Sequence, residues 1–273
     1  MAHAGNFVED TRNKCKEESL TMLRAYSISD VGKKRLMNQD CVDISTEPVG
    51  NLPNLLLLAD GMGGHKAGDY ASRYTIDTIK KEVNVSPQTN PVHIFSQAIQ
   101  YANEHLYEKS INDKNYEGMG TTLVAATCID YKLNVANIGD SRLYLIRQNK
   151  MVQVTKDHSY VAELVSKGGL DRETAKTHPK KNYITRAVGA FEQASADFFY
   201  VETKPDDIIL ICSDGLTNML SDEEILSIAY QEQDLEFACY KLVQAANEKG
   251  GMDNVSVILA KVLDAGKESV DHD

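Results

Sequence analysis

Five aspartates stand beside apolar segments and could together hold a metal ion. Asp60, Asp140 and Asp214 each follow a stretch typical of a buried strand, whereas Asp40 and Asp253 each precede one. If strand pairing brings these segments together, the carboxylates raise one another's pKa unless a cation lies between them. Oxygen ligands without a cluster of His or Cys favour a hard ion, Mg²⁺ or Mn²⁺, over zinc. Such a cluster could hold two ions about 3.5–4 Å apart, the arrangement used to hydrolyse phosphate esters.

A simpler interpretation is open for each aspartate taken singly. Asp60-Gly61 and Asp214-Gly215 are Asp-Gly pairs, which commonly form turns because Asp tolerates turn geometry and Gly supplies positive φ. The repetition of carboxylates at strand ends favours the metal site over turns alone. Nucleotide-binding loops are excluded, because GMGGHKAG (61–68) fits neither GxxxxGK[ST] nor GxGxxG. The chain also contains no HExxH and no GxSxG motif.

The elements that must position these residues are strands and paired helices. Strands rich in Val, Ile, Leu and Thr are predicted over Leu23–Ser29, Cys41–Ser45, Leu55–Ala59, Thr121–Ile129, Lys132–Ile138, Arg142–Arg147, Lys150–Val154, Ile208–Cys212 and Val255–Val262. Helical spacing of apolar residues predicts long helices over about Ala67–Val83, Val92–Lys109, Leu220–Tyr230 and Leu235–Lys249. Short turns between strands, with one hairpin turn at Ile129–Lys132, favour a single domain of antiparallel sheets covered by helices.

Composition excludes several classes of protein. With 42% hydrophobic and 25% charged residues, the chain can bury a sizeable core. A net charge of −11 argues against a general nucleic-acid binder, which needs a basic surface. No apolar run reaches the ~18 residues of a membrane span and no signal peptide is visible, so we expect a cytoplasmic protein. The five cysteines form no CxxC pair and are expected to be reduced thiols.

Eight motifs that follow one another along the chain carry a family resemblance. They are SDVGKKRLMNQD (29–40), LLLLADGMGGHKAG (55–68), GMGTTLVAA (118–126), NIGDSRLYLI (137–146), DHSYVAELVSKG (157–168), HPKKNYITRAVG (178–189), ILICSDGLTNML (210–220) and DNVSVILAKV (253–262). In order and spacing the chain resembles the metal-dependent Ser/Thr protein phosphatases of type 2C, the PPM family. Its NQD and DGMGGH segments are similar to the bacterial branch of that family.

The resemblance implies a fold and its boundaries. The expected architecture is an α+β, four-layer αββα sandwich, in which two packed antiparallel β-sheets are flanked by pairs of helices. The phosphatase domain would span residues 22–264, with a variable flap at about 157–189 beside the active site. Residues 1–21 would form a polar extension that we expect to be poorly ordered, and 265–273 a tail.

The resemblance also assigns metal ligands. Asp60 matches the carboxylate that bridges two Mn²⁺ or Mg²⁺ ions, and Gly61 matches a residue that lends its backbone carbonyl. Asp214 and Asp253 match the remaining direct ligands. Asp140, in the GDSR motif, matches a ligand of a third and weaker metal site.

Three further residues are assigned to the chemistry by the same resemblance. Asp40 matches an acid of the metal site that orients metal-bound water, and Arg35 matches the arginine that binds the substrate phosphate. In eukaryotic relatives a histidine two residues after the bridging aspartate is thought to donate the proton, but Met62 stands at that position here. His65 is the nearby candidate for the general acid, with metal-bound water as the alternative.

The function implied is that of a protein serine/threonine phosphatase. Direct attack of a metal-bridging hydroxide would hydrolyse phosphoserine and phosphothreonine in proteins without a covalent phosphoenzyme. The expected partners are phosphoproteins, including a bacterial Ser/Thr protein kinase and its substrates, and the expected state is a monomer. Two alternatives are a phosphatase for one dedicated regulatory phosphoprotein, such as an anti-sigma-factor antagonist, and a non-catalytic binding module. The intact set of five aspartates disfavours the binding module.

Overall fold

The computed structural model describes residues 21–64 and 66–264 of the chain. The extension predicted for residues 1–21 and the tail predicted for 265–273 therefore lie outside the described residues, apart from Thr21. Thr21 is buried, and its hydroxyl accepts a hydrogen bond from the backbone N–H of Tyr131 at 2.7 Å. Thr21 is thus part of the folded domain.

In this part of the chain, eleven strands pair into two antiparallel sheets. The first sheet contains, in spatial order, β1 (Leu23–Asp30), β11 (Val255–Val262), β10 (Ile208–Cys212), β7 (Arg142–Arg147) and β8 (Lys150–Gln153). The second sheet contains β2 (Asp40–Ser45), β3 (Leu55–Met62), β5 (Leu123–Ile129), β6 (Lys132–Ile138) and β9 (Asp197–Glu202). A two-residue strand, β4 (Gly120–Thr121), pairs with the end of β3.

Two pairs of helices cover the outer faces of the sheets. The second sheet carries α1 (Ala67–Val85) and α2 (Pro91–Asn112), whose apolar faces join its outer core cluster. The first sheet carries α6 (Asp222–Gln231) and α7 (Leu235–Glu248) in the same way. A third apolar cluster fills the space between the two sheets. The predicted α+β, four-layer αββα sandwich is confirmed.

Strand β3 shows why the central strands read as continuous apolar runs. Leu55 and Leu57 face the helices, whereas Leu56 and Leu58 face the other sheet, and all four are buried. Successive side chains of a strand point to opposite faces, so a strand covered on both faces needs apolar residues at every position. The strand therefore reaches the carboxylate of Asp60 with no polar residue before it.

The predicted strands are present, with small shifts at their ends. β3 continues to Met62, so Asp60 lies within the strand and not after it. The predicted strand Thr121–Ile129 is divided at Thr122, whose backbone N–H donates to Asp60 O and whose hydroxyl accepts from Asp60 N, both at 2.9 Å. The hairpin turn is confirmed, because Asp130 and Tyr131 have φ of 48° and 58°, as a type I′ turn requires.

Several short elements are not predicted by the sequence pattern. They are a 3-10 helix (Lys114–Tyr116), α3 (Tyr160–Ser166), α4 (Arg172–Thr177), α5 (Asp214–Thr217) and the edge strand β9. Helices of three to seven residues are too short for apolar periodicity to show. In β9, at the sheet edge, alternate residues are only partly buried and the others are exposed, so its apolar pattern in the sequence is weak.

The cysteines of the described residues form no disulfide. Cys41, Cys128, Cys212 and Cys239 are free thiols, as predicted for the cysteines of this chain. No helix in the described ranges has the length and apolar character needed to cross a membrane.

We expect Leu58→Ala to destabilise the protein by about 2–5 kcal/mol, because it removes buried methyl groups between the sheets and leaves a cavity. Urea denaturation followed by circular dichroism measures this free energy of unfolding. The exposed Val85 at the end of α1 provides the control, since Val85→Ala should change it by less than about 0.5 kcal/mol. Equal effects of the two substitutions would contradict the assignment of Leu58 to the core.

Candidate active site

The register between β2 and β3 places two carboxylates side by side. Asp40, the first residue of β2, pairs directly with Asp60 of β3. Residues directly opposite in a sheet are close neighbours on the same face, and like charges at such positions are destabilising. This pair therefore requires either protons or a cation.

The end of the first sheet contacts Asp40 through Ser213, which is itself held by the backbone of Ser256. The Ser213 hydroxyl donates to Asp40 Oδ2 at 2.7 Å and accepts from the backbone N–H of Ser256 at 3.0 Å. Ser213 immediately follows β10, so the same bond brings Asp214 next to the carboxylates of the second sheet. Asp40 is only 4% exposed, and among the described residues its Oδ1 atom has no hydrogen-bond partner.

The glycines of the two Asp-Gly pairs allow close approach of neighbouring backbone. A Cβ atom on Gly215 would lie 1.9 Å from Asn254 O, and one on Gly61 would lie 2.1 Å from Gly68 O. Asp60-Gly61 lies within β3 and Asp214-Gly215 within α5, and neither glycine has a positive φ, so the interpretation of these pairs as simple turns is wrong. Contact of Gly215 with Asn254 brings Asp214 and Asp253 together at one end of the first sheet.

Asn254, directly after Asp253, fixes the loop between β1 and β2. Its Nδ2 donates to Val31 O at 2.9 Å and Met37 O at 3.0 Å, and its Oδ1 accepts from Gln39 N at 2.9 Å. The side chain is buried, so these bonds are shielded from water. Sequence reasoning identified neither Asn254 nor Ser213, because each acts through a partner distant in the chain.

Arg35 lies in that loop, on the solvent side of the carboxylates. Its Nη2 donates to Asp253 Oδ2 at 2.7 Å, and its side chain remains 52% exposed. The hydrogen bond to Asp253 raises the pKa of Arg35, with Asp214 and Asp60 contributing through their charges. The guanidinium is thus a permanent cation at the entrance to the acidic cluster, with further N–H donors beyond the one that Asp253 uses.

Asp140 occupies a separate loop whose backbone is held by a histidine. The backbone N–H of Gly139 donates to His158 Nδ1 at 3.1 Å, and His158 N donates to Gly139 O at 2.9 Å. His158 Nε2 lies 3.2 Å from Asp197 Oδ2, which orients the ring. Burial lowers the pKa of His158. These contacts give His158 a structural role, in which it holds the Asp140 loop in place.

Burial is the largest cause of a raised pKa for four of the aspartates. It raises the pKa of Asp40 to about 7 and of Asp140 to about 8. The pKa of Asp214 rises to about 6, with the charge of Asp253 as the next contribution. Asp60 also has a pKa well above its usual value, and the charges of all four other aspartates add to the effect of burial. The five predicted carboxylates therefore form one electrostatic group.

This donor set fits a hard divalent cation. In residues 21–64 and 66–264, no group of three or more His, Cys, Asp or Glu side chains is arranged so that it could hold a metal ion. Nevertheless, the cluster consists of carboxylate oxygens, one buried Asp40 oxygen is unpaired, and the charges repel one another. A divalent cation would relieve both the repulsion and the unpaired oxygen. His65, the proposed general acid, lies outside the described residues.

The sequence of this chain matches a known protein family over most of its length. A sequence model described as "Protein phosphatase 2C" matches residues 32–260, a range that includes Arg35 and all five aspartates. The chain belongs to the protein phosphatase 2C family. The family predicted from the motifs is confirmed, and with it the activity class of a serine/threonine protein phosphatase.

Individual relatives are similar over nearly their whole length. The phosphatase is 37% identical to protein phosphatase PhpP of Streptococcus pneumoniae over 244 residues, which cover 88% of this chain and 98% of that protein. The crystal structure of the serine/threonine phosphatase Stp1 from Staphylococcus aureus superposes with a TM-score of 0.84 at 36% identity, covering 90% of this chain and 98% of Stp1.

A third similar protein was solved with metal bound. It is the catalytic domain of the serine/threonine protein phosphatase PstP in complex with 2 manganese ions, with a TM-score of 0.79 and 34% identity. The alignment covers 89% of this phosphatase and 99% of the PstP chain. At 36% and 34% sequence identity, Stp1 and PstP resemble this phosphatase in sequence as well as in fold.

The raised pKa values predict that the metal-free phosphatase loses stability as pH rises. A carboxyl group with a higher pKa in the folded state binds its proton more tightly when folded. Protonation of such a carboxyl group therefore stabilises the folded state fully below about pH 4. This contribution is lost as pH rises through 6–8, the range of the pKa values of Asp214, Asp40 and Asp140. We expect the melting temperature in EDTA to fall by several degrees between pH 5.5 and pH 8.5.

Two comparisons isolate the cluster as the cause. Asp60→Asn removes one charge from the group and should reduce this fall, and Mn²⁺ should raise the melting temperature more at pH 8.5 than at pH 5.5 because protons compete with the metal. Differential scanning fluorimetry measures both effects. A wild-type melting temperature that changes with pH as it does in Asp60→Asn would contradict the electrostatic coupling.

Proposed function

We propose that this phosphatase hydrolyses phosphoserine and phosphothreonine in proteins with two Mn²⁺ or Mg²⁺ ions held by its aspartates. The observation that carries the proposal is the single electrostatic group of buried and half-buried carboxylates beside Arg35. The residues proposed to hold the metals are Asp40, Asp60, Gly61, Asp214 and Asp253, with Asp140 in a third and weaker site. The manganese-bound PstP neighbour supports the choice of metal.

The positions of these residues suit different roles in metal binding. Asp60 interacts with the charges of the other four aspartates, which suits the bridging position, and Gly61 is its neighbour on β3. Asp214 and Asp253 approach through the Gly215–Asn254 contact and suit direct ligands. When bound there, the metal ions would lower the pKa of a water molecule and so supply the nucleophile for attack on phosphorus.

Arg35 would bind and orient the phosphoryl group. Its planar guanidinium can form paired, charge-assisted hydrogen bonds with phosphate oxygens. Its position on the solvent side of Asp253 places it where a phosphorylated segment would enter. A dianionic phosphate needs such a cation here, because the surrounding aspartates would otherwise repel it.

The leaving serine or threonine alkoxide needs a proton. His65 stays the proposed donor, since it belongs to the loop between β3 and α1 that directly follows Asp60 and Gly61. Water in the site is the alternative. A histidine donor should matter more for a phosphoserine peptide than for p-nitrophenyl phosphate, whose leaving group needs no proton.

The flap proposed for residues 157–189 begins beside the Asp140 loop. Arg142 of β7 donates to both carboxylate oxygens of Asp157 at 2.7–3.1 Å, and His158 contacts Gly139. These contacts link the start of the flap to the loop that carries Asp140. We further propose that the phosphatase is a cytoplasmic monomer that opposes a bacterial Ser/Thr protein kinase, as the family resemblance implies.

Asp60→Asn and Asp214→Asn should each lower Mn²⁺-dependent hydrolysis of p-nitrophenyl phosphate by roughly 10²–10³-fold, because each removes charge that holds the metals. Steady-state assays at several Mn²⁺ concentrations measure the loss. Asp130→Asn is the matched control, since Asp130 is exposed in the hairpin turn and Asn tolerates its positive φ. Turnover close to wild type in either site variant would exclude the metal assignment.

Arg35→Ala should raise KM for a phosphothreonine peptide by about 10–100-fold, with a smaller change in kcat, because charge-assisted hydrogen bonds to the phosphate are lost. Arg73→Ala provides the control, since Arg73 forms an exposed pair with Asp69 on α1. An unchanged KM in Arg35→Ala would show that the phosphate binds elsewhere.

A further inference from the structure

The segments on either side of the Arg35–Asp253 ion pair expose large apolar side chains. Leu36 is 98% exposed and Met252 is 55% exposed, and Met37 is exposed beside them. We refer to Leu36, Met37 and Met252 as the apolar rim. A single exposed leucine is ordinary on a protein surface. Here Leu36 adjoins the proposed phosphate-binding Arg35 in the chain, Met37 follows Leu36, and Met252 adjoins Asp253, the carboxylate partner of Arg35.

The loop that presents Leu36 is held at both ends by one segment of the chain, residues 251–254. The backbone N–H groups of Lys33 and Lys34 both donate to Gly251 O, at 2.8 and 3.1 Å. Gly32 packs so closely that a Cβ atom there would lie 2.2 Å from Asp253 O. These contacts fix the side of the loop that precedes Arg35.

The other side of the loop is fixed by the Asn254 side chain, which binds the carbonyl of Met37 and the N–H of Gln39. Arg35 and Leu36 therefore lie at the apex of a loop anchored on both sides. Because the backbone is held on both sides, moving the loop to bury Leu36 would break several of these bonds. The anchored loop therefore favours the observed exposure of Leu36.

We propose that the apolar rim binds an apolar side chain next to the phosphorylated residue of the substrate protein. This inference rests on the proposed function, in which Arg35 holds the phosphate. Residues of an extended peptide are spaced by about 3.3–3.6 Å, and Leu36 is the immediate neighbour of Arg35. In this proposal, a phosphoresidue held by Arg35 would present its own chain neighbours to the rim.

The rim favours an apolar neighbour over an acidic one at the point of contact. Lys33 and Lys34 also lie in this loop and are exposed, and they would attract acidic side chains. Their attraction acts on exposed charges and is weakened by salt, however. Burial of apolar surface against Leu36 and Met252 is not screened, so at physiological ionic strength it should dominate the choice of neighbour.

The test compares three phosphothreonine peptides that differ only at the residues flanking the phosphothreonine: leucine, serine or glutamate. We expect kcat/KM for the leucine-flanked peptide to exceed that for the serine-flanked peptide by about tenfold at 0.15 M salt. Leu36→Ser and Met252→Ser should each reduce this ratio by about threefold or more. Because both residues are exposed, neither substitution should prevent folding, which melting temperatures verify.

Val152→Ser is the matched control, because Val152 is 63% exposed on β8, at the opposite edge of the first sheet from β1. It should leave the ratio unchanged. Equal rates for the leucine- and serine-flanked peptides, or a ratio that persists in Leu36→Ser and Met252→Ser, would overturn the proposal while hydrolysis itself still supports the phosphatase function. Fastest hydrolysis of the glutamate-flanked peptide would also overturn the proposal, because it would indicate that Lys33 and Lys34 recognise an acidic neighbour. Hydrolysis of none of the three would overturn the proposed function as well.

Discussion

Repulsion between clustered aspartate carboxylates is the interaction on which the arrangement of this site depends. Asp40 and Asp60 face each other across two paired strands, and Asp214 is brought to them by the bond from Ser213 to Asp40. Each charge is costly in a buried environment and costlier beside the others, as their raised pKa values show. Only a rigid scaffold can hold such groups together, and a divalent cation is the partner that makes their ionised form favourable.

The sandwich provides this rigidity through close backbone contacts. Gly215 against Asn254 and Gly32 against Asp253 leave no room for a side chain, so three segments meet at one end of the sheets. Asn254 adds hydrogen bonds to both sides of the loop that carries Arg35. The same contacts anchor the loop that carries Arg35 and the exposed Leu36. The proposed metal site, the proposed phosphate contact of Arg35 and the proposed apolar rim therefore all depend on one small set of packed segments.

Much of the fold and the chemical character of the site could be predicted from local patterns. Continuous apolar runs such as Leu55–Ala59 identify strands covered on both faces, and aspartates at their ends indicate a hard metal. Parts with weak patterns could not be predicted, such as β9 at a sheet edge and the short α5. Ser213 and Asn254 are ordinary polar residues in sequence, and their roles arise from partners 173 and 215–223 residues away.

The sequence by itself determined the antiparallel sheets covered by helices and the carboxylate donors with their preference for a hard cation, since these follow from residue type and local periodicity. The family and the four-layer order came from the resemblance of its motifs. Tertiary structure alone decided that Asp40 faces Asp60, that Gly61 and Gly215 serve close packing and not turns, and that Arg35 pairs with Asp253. It also decided that Leu36 remains exposed. The physical reason is that strand register and the packing of one sheet on the other depend on contacts between residues far apart in the chain, which local patterns do not encode.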